Sequence, residues 1–166
     1  MTPNSRQING LKFALFAVCL SPAALLLRDL QLDQLGANPI EALTRASGEW
    51  TLRFLLITLA ITPLRKYSGL HWILRFRRML GLFAFAYGVM HLTTYIWLDQ
   101  FFDWPAIVRD IYKRPFITVG FAALVLMAPL AFTSNSLAIR QLGGRRWQAL
   151  HRSEEHTSEL QSHLNL

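Results

Sequence analysis

Five histidines are the chain's leading candidates for chemistry, and their settings differ. His91 stands inside the run 79–98, where it is the only strongly ionisable residue. An ionisable side chain within an apolar span is costly and marks a functional site by default. Neutral imidazole is also a common ligand of metals and of haem iron. The plainer alternative is a histidine hydrogen-bonded across a helix contact, with Thr93, Thr94 or Tyr95 of a packed partner in reach; the residues alone leave both open. His151 follows Trp147 and Leu150 at the edge of an apolar stretch. It is either a ligand or an interfacial histidine facing lipid headgroups. His71 lies in a basic segment and reads as solvated. His156 and His163 fall in a terminal stretch that does not read as part of the fold. The single cysteine, Cys19, reads as packing, and it excludes both an intrachain disulfide and a multi-cysteine metal site.

Anion chemistry has one candidate. Arg75, Arg77 and Arg78 abut the start of the His91 run. Guanidinium groups pair bidentately with haem propionates or a flavin phosphate, and the same cluster also serves as a topology determinant. No phosphate-binding glycine loop, nucleophile elbow, zinc motif or paired-carboxylate arrangement occurs, which argues against a hydrolase.

The elements that must position these residues are apolar helices. Of 166 residues, 52% are hydrophobic and 16% charged, against about 25% charged in an ordinary soluble domain. Four apolar runs, at about 11–27, 47–64, 79–98 and 116–132, approach the roughly 20 residues that a bilayer core demands. The second run is short from Trp50 and reaches span length by extending upstream through Ser47 and Gly48, with Arg53 snorkelling outward. A chain this short has too little interior to hide four such helices, so the expected class is an all-α polytopic transmembrane bundle. The first run lacks the cleavage site and flanks of a signal peptide.

The net charge of +7 could suggest nucleic acid, but its distribution follows membrane topology. Alternate connecting segments hold ten basic residues on one side and five on the other, and all seven acids before residue 150 lie on the poorer side. The positive-inside rule then places the N-terminus and segment 65–78 in the cytoplasm, and Glu49 and Asp103 outside. Trp50, Trp97 and Trp104 fall at outer boundaries, Trp72 and Trp147 at inner ones, the depth that indoles prefer. Residues 153–166 break the pattern. They contain Glu154, Glu155 and Glu159 and only three leucines, cannot span a bilayer, and read as a non-native tail after an incomplete domain at 1–152.

Several segments carry a family resemblance in their order and spacing: LGANP at 35–39, TPL at 62–64, RRMLGL at 77–82, HLTTY at 91–95, KRPF at 113–116, AFTS at 131–134 and WQALHR at 147–152. Over residues 1–152 the chain resembles the MsrQ family, within the ferric-reductase-like transmembrane group. The resemblance implies six spans, of which four are present here, in a bacterial inner membrane. It implies haem b, with FMN as a further cofactor. It implies electron delivery from the quinone pool or a flavin reductase to a periplasmic molybdopterin-containing subunit, MsrP, which reduces methionine sulfoxide in oxidised envelope proteins. His91 and His151 match the family's haem-ligand positions, and Arg77 and Arg78 are the weaker cofactor-binding candidates.

Depth separates the two histidines. His91 lies about 18 Å above Met79 at 1.5 Å per residue, in the outer half, whereas His151 begins a fifth span at the inner face. They should not share one iron. A family histidine about one and a half passes further along the fifth span would be the partner at the level of His91, so the chain as it stands is expected to bind haem poorly. The rivals are another ferric-reductase-like haem oxidoreductase, which usually has paired histidines on one span, and a non-redox membrane module.

Overall fold

The structure, a computed structural model, describes residues 4–134. His151, the expected domain boundary at 152 and the tail lie outside the described residues. Residues 1–124 form one compact unit, and the chain from Val125 onward forms another. The described part of the second unit is the C-terminal portion of one helix and the turn at Thr133 and Ser134.

All regular structure among the described residues is helical. Helix α1 spans Ser5–Gln31 and contains Pro22. Helix α2 spans Pro39–Ser68. Its start is written locally: the Asn38 side chain accepts from the Glu41 amide at 3.2 Å, and Pro39 occupies the first turn. Its end is equally clear. Gly69 takes φ +68, its N–H bonds the Arg65 carbonyl, and Arg65 and Lys66 sit at the negative end of the helix dipole. A 3-10 turn at His71–Ile73 leads into α3, Leu74–Thr93, which runs on without a break into a π-helical segment, Thr94–Asp99. Asp103 caps α4, Trp104–Lys113, by accepting from the Ala106 amide at 3.1 Å. Arg114 is extended, as a residue before proline prefers, and α5 follows at Pro115–Phe132.

Three of these stretches are long and apolar enough to cross a membrane: Arg6–Gln31, His71–Asp99 and Pro115–Phe132. They contain the expected spans 11–27, 79–98 and 116–132. The expected span 47–64 lies within α2, which has ample length at 30 residues. It falls short of the others in apolarity because it carries Glu49 and Arg53. Those two pair with each other at 3.1 Å, with the Arg53 guanidinium 4.7 Å from the Trp50 ring centre. Segment 99–115, expected as a plain connection, instead contains α4.

Helices α2 and α3 run antiparallel and supply most of the core. Ser47 faces His91, Gly88 approaches Thr51, the Phe54 and Tyr87 rings meet at a tilt with centres 5.1 Å apart, and Gly81 approaches Thr58. On α3 the buried positions are Phe76, Leu80, Ala84, Tyr87 and Gly88, one stripe at helical spacing. On α2 they are Ser47, Phe54 and Ile61, spaced seven apart. Small residues (Ser47, Gly48, Gly81, Ala84, Gly88) let the two backbones approach, as membrane helices require where lipid is as apolar as the side chains.

Helix α1 is tied to this pair by Phe16 against Phe83, ring centres 5.3 Å apart, and by the hydrogen bonds of Tyr87. The Tyr87 hydroxyl donates to the Cys19 carbonyl at 3.0 Å and accepts from the Ala23 amide at 2.9 Å. Those two groups stand one turn apart, where an ideal helix joins them directly. Pro22 lies between them, so the hydroxyl is seated in the ladder where proline already disturbs it. Cys19 is fully buried beside it.

Candidate functional site

The His91 end of the α2/α3 pair is built from three consecutive features of α2. The Thr44 carbonyl lies 2.8 Å from His91 Nδ1. Ser47, completely buried, donates its hydroxyl to the same carbonyl at 2.9 Å and stands 3.5 Å from Nδ1. Gly48 lies against the ring: a Cβ there would be 3.0 Å from Cε1 and 3.1 Å from Nδ1. The imidazole therefore rests on the bare backbone of α2. On its own helix, the His91 carbonyl accepts from Thr94 Oγ1 at 2.9 Å, and the π-helical segment begins at that residue. Such wide turns occur often at functional sites.

This geometry sets the protonation pattern of the ring. A carbonyl only accepts, so Nδ1 must carry the hydrogen, and a neutral imidazole then has its lone pair on Nε2. No hydrogen bond to Nε2 is made among the described residues. Histidines that bind metals typically donate their other N–H to a carbonyl or carboxylate in this way, which fixes the ring and raises ligand basicity. The hydrogen bond across a helix contact, weighed as the plainer alternative for His91, is present, but its partner is Thr44 of α2 and not Thr93, Thr94 or Tyr95. Sequence reading missed Thr44, Ser47 and Gly48 as site residues. Their signal was the small Ser47–Gly48 pair just before Trp50, read there only as an extension of the span.

Among the described residues no group of three or more His, Cys, Asp or Glu side chains gathers as a metal site. A bare ion has no ligand set at His91. Haem brings most of its iron's ligands with it, so an imidazole with a directed lone pair, as at His91, is of the donor type that would hold it. The Thr44 hydroxyl is also buried without a hydrogen-bond partner.

Arg77 and Arg78 are not brought to this site. They lie near the start of α3, Arg77 half-buried and Arg78 exposed. From Arg77 to His91 the helix rises about 21 Å. The basic cluster and the histidine thus occupy opposite ends of one span.

The described residues, all-helical in their regular structure, with three membrane-length stretches and one oriented imidazole within one of them, define a multi-pass membrane protein. The sequence profile of the ferric reductase like transmembrane component family matches residues 47–153. The chain belongs to that family and, within it, to the MsrQ proteins. It is 63% identical over 151 residues to the "Protein-methionine-sulfoxide reductase heme-binding subunit MsrQ" of Azospira oryzae, covering 91% of this chain and 65% of that one. The protein of the same name from Herminiimonas arsenicoxydans is 54% identical, with 90% and 69% covered. That from Polaromonas naphthalenivorans is 57% identical, with 83% and 63% covered. The chain thus spans about two thirds of the length of these relatives. No solved structure gives a significant match.

Proposed function

We propose that this chain is the haem-binding, electron-carrying membrane part of a protein-methionine-sulfoxide reductase. The name borne by the MsrQ relatives supports the reading. The observation that carries it is the His91 ring, donating from Nδ1 to the Thr44 carbonyl at 2.8 Å and packed on Gly48, with Nε2 left for a ligand bond. His91 would hold iron of a b-type haem through Nε2. Thr44 fixes the tautomer, and Gly48 gives the ring its room. Bound haem supplies one-electron redox chemistry within the membrane.

Electrons would enter at the cytoplasmic end, from the quinone pool or from a flavin reductase with FMN bound. Arg77 and Arg78 would pair there with propionate or flavin phosphate, and His151 would serve the inner cofactor. Electrons would leave at the His91 end for MsrP, the periplasmic molybdopterin-containing subunit that reduces methionine sulfoxide in envelope proteins. The basic asymmetry of the segments supports an inner-membrane location with a cytoplasmic N-terminus. Making and breaking bonds at sulfur belongs to the partner; this chain's task is transfer.

The test uses residues 1–152 extended by the family's fifth and sixth spans. Reconstituted with MsrP and a quinol donor in lipid vesicles, this protein should drive sulfoxide reduction, and its His91→Ala variant, folded by circular dichroism, should not. An unchanged rate in the variant would overturn the assignment.

A further inference from the structure

Helix α4 presents an apolar stripe that stays exposed among the described residues. Its inward face is Ile107, 5% exposed, with Asp110, which accepts from the Tyr95 hydroxyl at 3.0 Å and pairs with Arg114 at 3.5 Å. Those contacts moor α4 to the end of the third span. The next sector of the helix holds Trp104, Val108 and Tyr112, spaced four apart and 58%, 64% and 89% exposed. The sector beyond that holds Arg109 and Lys113, neither in an ion pair among the described residues. Just before the helix, Phe101 and Phe102 are exposed, with φ of 47° and 62°. Two successive aromatic residues in the left-handed region are costly, and among the described residues the one aromatic contact their rings make is Phe102 against Trp104 at 6.3 Å. Trp97, on the last turn of the third span, is exposed on the same end.

We propose that α4 lies in the lipid–water interface at the His91 end of the protein, with Trp104, Val108 and Tyr112 sunk among acyl chains and Arg109 and Lys113 on lipid phosphates. Three observations select lipid as the occupant. Stretches that can cross a membrane flank α4 on both sides, His71–Asp99 before it and Pro115–Phe132 after it, so a ten-residue helix between them is held at the membrane surface by its own attachments. The outward residues are those that favour this depth: tryptophan and tyrosine with an apolar body and polar tip, and long cations beside them. The division into apolar stripe and cationic flank is that of an in-plane amphipathic helix. Seating Phe101 and Phe102 in the same layer offsets their backbone strain by burying both rings. The helix would also fix the height of the Asp99–Asp103 turn, and with it the end of the π-helical segment that begins three residues after His91.

The test is spin labelling of the whole chain in a Cys19→Ala background, in vesicles of phosphatidylethanolamine and phosphatidylglycerol. Labels at positions 108 and 112 should collide with oxygen and be shielded from a water-soluble nickel chelate, while a label at 109 should collide with the chelate. A paired Arg109→Glu and Lys113→Glu variant should raise chelate access at 108 in these vesicles and leave it unchanged in neutral phosphatidylcholine. Free chelate access at 108 and 112 in the unaltered helix would overturn the proposal by placing the stripe in water. Shielding from both oxygen and chelate would overturn it by showing a protein partner. Since no label touches the His91 site, failure here leaves the redox reading standing, and loss of that reading leaves this one.

Discussion

Gly48→Ala isolates what α2 does for His91. The added Cβ would stand 3.0 Å from Cε1 and 3.1 Å from Nδ1, inside the ordinary carbon contact distance of about 3.5–4.0 Å. Relief requires the ring to retreat from α2 by about 0.5 Å. Thr44 is on the same helix, so that retreat stretches the 2.8 Å bond to about 3.3 Å, beyond the usual range for N–H···O. Loss of such a supporting bond lowers metal affinity about 10–100-fold. The helix itself responds in the opposite direction, because Ala is favoured over Gly in a helix interior by about 1 kcal/mol. The expected result is a haem dissociation constant raised about 10–100-fold with thermal stability of the apoprotein unchanged or higher. The assay is haem titration of the extended chain in detergent, followed by absorbance, beside a thermal melt of the apo form. Wild-type affinity in the alanine variant would refute the role given to the Thr44–Gly48 cradle. A parallel fall in melting temperature would refute the claim that the effect is local to the ring.

Three further outcomes are expected. Tyr87→Phe removes the hydroxyl between the Cys19 carbonyl and the Ala23 amide and should cost about 1 kcal/mol in reversible unfolding; a Pro22→Ala change should recover part of it by letting the two groups bond directly. Ala84→Leu forces a larger side chain into a position with no exposure and should cost about 1–3 kcal/mol, read as a lower midpoint in the same unfolding assay. Single cysteines at 103 and 68, in a background lacking Cys19, should label from outside the cell and only after permeabilisation, respectively; the reverse pattern would invert the topology.

The apolar helices were legible because spanning a bilayer is a demand on composition and length, which a single sequence displays. Runs 11–27, 79–98 and 116–132 sit inside the membrane-length stretches. His91 stood out for the same reason, as the one imidazole in an apolar run. What the sequence concealed depends on how helices face one another. That Ser47 and Gly48 lie against His91 follows from the antiparallel register of α2 and α3, which no local pattern encodes. The Tyr87 hydroxyl meets the Cys19 carbonyl and the Ala23 amide on either side of Pro22 through a contact between distant parts of the chain, and Pro22 alone announces a disturbance without naming its partner. Helix α4 was missed for a different reason. Asp103 as a cap, Pro105 in the first turn and the Ile107–Ile111 spacing were all present, but the segment's balanced charge made it read as a connection. The π-helical turn after His91 leaves no mark in residue type.

The central claim is that His91 offers Nε2 to haem iron. It is tested most directly by electron paramagnetic resonance and visible spectra of the oxidised and reduced extended chain, compared with His91→Gly before and after addition of free imidazole. The account predicts a low-spin bis-histidine signal with b-type bands in the parent, its loss at the outer haem in the glycine variant, and its return when imidazole fills the vacated position. Spectra and haem content unchanged by the substitution would contradict it and leave His91 as a structural contact between α2 and α3.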